Sequence, residues 1–111
     1  MTTTWLYRLR LNRIELLTGG PTPEEADALE GHWNHLVRLR DEGRIIFVGR
    51  SDELEPDRLF GDVVSTAPDE AAARATMESD PAVIAGVQSA TLYPMRVFMV
   101  DASAVPDDDE D

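Results

Sequence analysis

The residues from Thr22 to Gly49 constrain the fold most strongly, because they predict one long amphipathic helix that leads directly into an apolar strand. Thr22 is a good N-cap, Pro23 suits the first helical position, and Glu25 completes a capping box with Thr22. At the far end, Gly43 is placed to terminate the helix in a left-handed conformation. Both ends of this helix are therefore marked in the sequence, and the remaining elements can be placed relative to it.

The apolar face of this helix is predicted to be centred on Trp33. His32 lies at the margin of the predicted face, whereas His35 is predicted to point towards solvent. A histidine at the margin can be held by packing and still reach a cleft, so His32 is the better candidate for chemistry. At about 100° per residue, the apolar residues within about 60° of Trp33 are Ala26, Leu29, Leu36 and Val37, and Leu39 extends the face on one side.

Three further strands and a second helix are predicted along the chain, separated by turn residues. The first strand alternates apolar and basic residues, which is typical of a strand with one buried face. Gly61 in the third strand predicts a bulge or a close backbone approach, and residues Asn12–Pro21 are predicted to be a connection. The predicted strands are Trp5–Leu11, Arg44–Val48, Leu59–Thr66 and Ser89–Val100, and the second helix is Pro68–Ser79, followed by a helical turn at Pro81–Ala85.

This order of elements is β-α-β-β-α-β, which predicts an α+β, ferredoxin-like fold with a four-stranded antiparallel sheet and the helices on one face. Two helices cover only one face of such a sheet, yet the second and fourth strands are apolar on both sides. A bare apolar face usually marks an interface or a ligand cleft. We therefore expect a homodimer through the open sheet face, and the alternative is a monomer whose sheet face holds a ligand.

The composition limits the classes of function. The chain has 111 residues, which fits one domain over residues 1–100 and an acidic tail over residues 101–111 that is expected to be disordered. A net charge of −12 argues against nucleic acid as a partner, and the absence of cysteine excludes disulfides and thiolate chemistry. No apolar stretch approaches the ~20 residues needed to cross a bilayer, and the start lacks a signal peptide, so a cytoplasmic protein without membrane contact is expected.

A set of short motifs, none specific alone, occurs in a recognisable order and spacing. On these residues the chain resembles the YciI-like (YCII-related) domains, small members of the dimeric α+β barrel superfamily, over residues 4–100. The motifs are the aromatic first strand, Thr22-Pro23-Glu24-Glu25, His32 followed by an aromatic residue and Leu36, Glu42-Gly43 before the apolar strand and Gly49, Phe60-Gly61, and Met77-Glu78-Ser79-Asp80-Pro81 followed by Gly86.

The resemblance implies that His32 and Asp80 form a His–Asp pair, because similar proteins place a histidine of the first helix near an aspartate at the end of the second. One branch of the family removes chloride from a chlorinated hydroxyquinol-type ring, and most members have no assigned reaction. The chain departs from the family pattern at Gly31, where an acid is common, and at Arg50, where the family often has proline after the glycine. Both departures fall near the expected pocket, so the substrate does not carry over.

The two residues of the pair also have purely structural interpretations. His32 would then be a half-buried helix histidine bonded to a backbone carbonyl, and Asp80, which precedes Pro81, would be an N-cap. One carboxylate can cap a helix and hold a histidine, because it accepts several hydrogen bonds. A histidine held by a carboxylate is fixed in one tautomer and can take up or deliver a proton near neutral pH.

Candidate substrate-binding residues are Arg50 and Ser51, at the end of the second strand, together with Trp5 and Tyr7 in the first strand. Arg50 could bind a carboxylate or phenolate oxygen, or it could form an ordinary surface ion pair. Trp5 and Tyr7 are either core residues or an aromatic wall for a planar ligand. The sequence alone leaves these alternatives open.

Three functional hypotheses follow. The first is a small cofactor-independent enzyme with His32 as general acid/base and Asp80 as the group that orients it, acting on a small cyclic or aromatic molecule. The second is a non-catalytic dimeric module that binds a small ligand or a protein, and the third is a cofactorless oxygenase. His32 and His35 are three residues apart, but the helix turns them away from each other, so no metal site is predicted.

Overall fold

The computed structural model describes residues 3–106, which form a four-stranded antiparallel sheet with helices packed against it. The α+β, ferredoxin-like fold class predicted from the sequence is confirmed. The strands are β1 (Thr4–Leu11), β2 (Ile45–Arg50), β3 (Gly61–Thr66) and β4 (Gln88–Pro94), and the helices are α1 (Glu15–Thr18), α2 (Pro23–Asp41), α3 (Glu70–Glu78) and α4 (Pro81–Ile84), followed by a 3₁₀ turn at Ala102–Ala104.

The sheet has the strand order β2-β3-β1-β4, so β1 and β3 are central and β2 and β4 are edges. Tyr7 lies opposite Val63 on one side and Leu92 on the other. Residues directly opposite each other on neighbouring strands point to the same side, so these three residues share one face of the sheet, and that face carries the core. The main core cluster joins Tyr7, Leu9 and Val63 of the sheet to Leu36 and Leu39 of α2 and Met77 of α3.

The ends of α2 are formed as the sequence predicts. The Thr22 hydroxyl accepts a hydrogen bond from the backbone N–H of Glu25 at 3.1 Å, and the Glu25 carboxylate accepts one from the Thr22 N–H at 2.9 Å. Gly43 has a φ of 76°, a left-handed conformation that only glycine adopts at little cost. Arg38 and Arg40 lie in the last turn, where the helix dipole favours cations.

The predicted orientation of α2 is wrong. Trp33, expected at the centre of the buried face, is 60% exposed, while His35, expected to face solvent, is only 4% exposed. The buried residues of the helix centre about 120° away from Trp33, so His32 lies within the buried arc. The reason is the contact with α4: a Cβ on Gly31 would lie 2.8 Å from the Cβ of Pro81, so the glycine side of the helix is pressed against α4.

Several predicted boundaries are also corrected. The final strand ends at Pro94 and not at Val100. The N–H of Met95 donates to the carbonyl of Thr4, which is the first residue of the partner strand β1, so the pairing between the two strands ends at this point. The prediction of α3 from Pro68 is two residues early, since Asp69 is the N-cap and accepts from the N–H of Ala72.

The predicted connection before α2 and the predicted bulge in β3 also differ from the structure. The predicted connection Asn12–Pro21 contains the short helix α1. The irregular pairing lies between Ile45 and Phe47 and not at Gly61, which begins β3. The close approach instead involves Gly49, whose absent side chain leaves room for the ring of Phe47: a Cβ there would lie 2.8 Å from it. Of the predicted acidic tail, residues 107–111 lie outside the described residues.

The sheet face opposite the core is mixed in character. Arg8, which alternates with Tyr7, forms a two-point ion pair with Asp62 at 2.8 and 2.9 Å. Its guanidinium lies 4.1 Å from the ring centre of Phe60, a cation–π contact. Phe47 and Tyr93, which occupy the same face on the two edge strands, are 54% and 45% exposed. The open face therefore combines aromatic and charged groups and is less apolar than the sequence indicated.

Glu25 gives the fold a specific acid sensitivity. Its carboxylate accepts two hydrogen bonds from Arg13, at 2.6 and 2.8 Å, and the N–H of Thr22, and these bonds lower its pKa to about 2. The folded-state pKa is below the unfolded value of about 4.3, so this contribution to stability is present above pH ~4.3 and is lost as the pH falls towards 2.

We therefore expect Glu25→Gln to show a smaller decrease in the free energy of unfolding between pH 5 and 2 than the wild-type protein, measured by urea unfolding at each pH. The matched control is Glu24→Gln, because Glu24 is a neighbouring exposed residue of the same first turn. If the free energy of unfolding of Glu25→Gln decreased with pH as steeply as that of the wild type, the role of the Arg13–Glu25 pair would be contradicted.

Candidate active site

Three separate elements bring Tyr7, His32 and Asp80 together. Tyr7 comes from β1, His32 from the middle of α2, and Asp80 from the junction of α3 and α4. The Asp80-Pro81 sequence builds this junction, because the residue before a proline is excluded from the helical conformation. Asp80 is accordingly extended, and its carboxylate accepts from the backbone N–H of Ala82 at 3.0 Å as the N-cap of α4.

The carboxylate of Asp80 also contacts the imidazole of His32. Nδ1 of His32 lies 2.9 Å from Oδ1 and 2.8 Å from Oδ2 of Asp80. The hydroxyl of Tyr7 donates to Oδ2 from the sheet side at 2.9 Å. The side chain of Asp80 is completely buried, whereas that of His32 keeps 17% of its surface exposed. One buried carboxylate thus caps a helix and contacts a histidine that reaches the surface.

The charges of these groups follow from their surroundings. Burial raises the pKa of Asp80, but the hydrogen bonds from His32, Ala82 and Tyr7 outweigh it, and the pKa lies below its ordinary value. Burial, and then the negative charge of Asp80, raise the pKa of Tyr7, so its phenol stays protonated. An ionised Asp80 only accepts hydrogen bonds, so a neutral His32 carries its proton on Nδ1 and has a free electron pair on Nε2.

His32 borders a cleft of about 430 Å³ between α1, α2 and one end of the sheet. Most of its wall consists of leucine and valine side chains from these elements. Trp33, Arg50 and Phe60 also line it, as does Gln88, whose amide oxygen is buried without a hydrogen-bond partner among residues 3–106. The cleft therefore offers an apolar enclosure with a few polar groups and one imidazole, as small-molecule sites usually do.

The structure separates the predicted substrate-binding residues. Arg50 lies on the cleft, and its guanidinium donates to the backbone carbonyl of Ser51 at 3.0 Å. Ser51 does not line the cleft; its hydroxyl closes the following loop by donating to the carbonyl of Arg58 and accepting from the N–H of Phe60.

The two aromatic residues of β1 do not line the cleft either. Trp5 donates its indole N–H to the carbonyl of Ala67 at 3.1 Å and packs in a separate cluster with Ala67 and Ala73. Tyr7 is buried beneath Asp80. Trp33, which the helical periodicity assigned to the core, lines the cleft instead.

His35 has a structural position. Its Nε2 lies 3.1 Å from the carbonyl of Thr76 in α3, and burial lowers its pKa, so it donates as a neutral imidazole. Among residues 3–106 no cluster of three or more His, Cys, Asp or Glu side chains could hold a metal ion. Over the same residues, no helix has both the length and the apolar character needed to span a membrane.

Comparison with known proteins places the chain in a family. Residues 12–96 match the model of the YCII-related domain, and the chain belongs to that family. Among solved structures it is similar to 5-chloro-2-hydroxyhydroquinone dehydrochlorinase from Burkholderia phenoliruptrix AC1100, solved in complex with 2,5-dihydroxybenzoquinone. The two share 15% identity over 83% of this chain and 93% of that one, with a TM-score of 0.57, which shows a common fold. No curated protein matches the sequence.

Gly31 provides a test of how the site is assembled. Alanine normally favours a helix over glycine by about 1 kcal/mol, but a Cβ at this position would meet Pro81 at 2.8 Å and force α2 away from α4. We expect Gly31→Ala to lower the free energy of unfolding by about 1–3 kcal/mol, measured by urea unfolding. Glu30→Ala, at an exposed neighbouring position, is the control. A Gly31→Ala protein as stable as the wild type would contradict close packing between α2 and α4.

Proposed function

We propose that this protein is a small cofactor-independent enzyme in which His32 transfers a proton to and from a small ring-containing molecule bound in the cleft. Asp80 would orient the imidazole and stabilise the imidazolium ion. The observation that carries the proposal is the contact of a completely buried carboxylate with Nδ1 of a histidine whose ring borders the cleft. Burial and a specific charged partner together are typical of catalytic groups.

The proposed reaction begins with proton abstraction. With Nδ1 bonded to Asp80, the electron pair of Nε2 takes a proton from a C–H or O–H group of the bound molecule. The imidazolium formed is stabilised by the negative charge of Asp80 and returns the proton to another atom of the substrate or to a leaving group. This sequence fits elimination or tautomerisation, reactions in which a proton leaves one atom and is delivered to another.

Three features of the cleft support a small cyclic or aromatic substrate. The apolar wall suits a ring, and Trp33 adds aromatic surface. Arg50 forms no salt bridge with any of residues 3–106 and can bind a carboxylate or phenolate oxygen at the edge of the cleft. The dehydrochlorinase with the same fold was solved with a dihydroxylated ring, which supports the same class of ligand here.

The alternative is a dimeric module that binds a small ligand or protein without catalysis, and the exposed apolar residues bear on the dimer that both candidates share. Phe47 and Tyr93 on the open sheet face, and Phe98 and Met99 after β4, are each at least 45% exposed. We propose that the open face forms a homodimer interface in either case.

Light scattering should then give the mass of two chains for the wild type and of one chain for Phe47→Asp. Leu54→Asp in the neighbouring loop is the control and should give the mass of two chains. A monomeric wild type would contradict the proposed interface.

Proton abstraction can be tested without knowing the complete reaction. We expect the wild-type protein to catalyse exchange of ring hydrogen for deuterium in at least one member of a panel of cyclic ketones and dihydroxybenzenes, followed by NMR in D₂O. His32→Gln and Asp80→Asn should each reduce the exchange rate about 10²-fold or more, because the base is lost or misoriented. His35→Gln, which alters the histidine away from the cleft, should retain exchange.

The three functional hypotheses give different outcomes. Exchange that persists in His32→Gln would contradict the proposed base. Panel members that bind in the cleft without exchange would favour the non-catalytic module. Turnover that stops when oxygen is removed would favour the cofactorless oxygenase.

A further inference from the structure

Tyr7 is held in two ways, and neither involves the cleft. The residue is 1% exposed and belongs to the main core cluster with Leu36 and Val63. Its hydroxyl donates to Oδ2 of Asp80 at 2.9 Å. Tyr7 does not line the cleft. The core therefore fixes the ring and directs the hydroxyl at the carboxylate that contacts His32.

Every donor to Asp80 matters, because its side chain has no exposed surface. Oδ1 accepts from the N–H of Ala82, and Oδ2 accepts from Tyr7, while Nδ1 of His32 lies within 2.9 Å of both oxygens. A buried carboxylate that loses a donor is destabilised in its charged form, since no solvent contact replaces the bond. The Tyr7 hydroxyl is also the only donor that reaches Asp80 from the sheet among residues 3–106.

We propose that Tyr7 is a positioning residue, whose hydroxyl holds the Asp80 carboxylate in the orientation that binds Nδ1 of His32 and leaves Nε2 for the cleft. This role rests on the proposed function of His32 and Asp80 and differs from direct substrate binding. Burial and the charge of Asp80 raise the pKa of Tyr7, so it acts as a fixed donor and not as a base. Tyr7 therefore acts on the reaction through Asp80 and His32.

The test is the NMR resonance of the proton on Nδ1 of His32 in the free protein. Tyr7→Phe removes only the hydroxyl, so Oδ2 becomes a stronger acceptor for the His32 proton, and we expect the resonance to move downfield. Tyr93→Phe alters the other tyrosine of the chain, which lies on the open face, and should leave the resonance unchanged.

A second protein keeps the test decisive if Tyr7→Phe does not fold. Incorporation of 3-fluorotyrosine into Tyr93→Phe modifies Tyr7 alone, retains the hydroxyl and makes it a stronger donor. The His32 resonance should then move upfield, opposite to the change in Tyr7→Phe. A purely structural role for Tyr7 would change stability without these opposite shifts, so an unchanged resonance in the fluorinated protein would overturn the proposal.

The kinetic consequence separates this proposal from the proposed function. Where deuterium exchange is found, Tyr7→Phe should lower kcat and leave KM unchanged, because Tyr7 does not touch the bound molecule. The NMR shifts need no substrate, so they can hold even if His32 catalyses nothing. Conversely, exchange that depends on His32 without any NMR shift would retain the proposed function and reject the role of Tyr7.

Discussion

The contact between the buried carboxylate of Asp80 and Nδ1 of His32 is the constraint on which the site depends. A charged group without solvent contact is tolerated only when its oxygens are bonded, and here the donors come from β1, α2 and the first turn of α4. The same bonds that satisfy the carboxylate also fix the relative positions of these elements. One side chain therefore links the packing of these elements to the geometry of the site.

The close approach of α2 and α4 makes this contact feasible. Gly31 precedes His32 and removes the side chain that would otherwise collide with Pro81, and Pro81 follows Asp80. The absence of a side chain at Gly31 therefore allows a close helix contact beside the pair. Arg50 places a cation on the rim of the same cleft.

Much of the fold could be predicted from local sequence, because its signals act over a few residues. The capping box at Thr22 and Glu25, the left-handed Gly43 and the Asp80 cap before Pro81 all have the predicted conformations. The orientation of α2 could not be predicted, since periodicity identifies apolar residues but not the surface they pack against. For this reason Trp33 was predicted to be buried and His35 to face solvent, which is the reverse of their positions in the structure.

The site was predictable only in part. The family resemblance indicated His32 and Asp80, which the structure brings into contact, while the position of Tyr7 depends on strand register and on the α3–α4 junction far along the chain. Ser51 and Trp5 had suitable side chains but are used within the loop and the core. Gln88, at the start of β4, lines the cleft and was not among the predicted site residues.

Whether Asp80 orients His32 is tested most directly by the tautomer of His32, measured by long-range ¹H–¹⁵N correlation in the intact wild-type protein at a pH where the ring is uncharged. The geometry predicts a proton on Nδ1, directed at Asp80, and an unprotonated Nε2. A spectrum that shows the proton on Nε2 would contradict the account, because the carboxylate would then hold no proton of the imidazole and Nε2 would have no electron pair to act as a base.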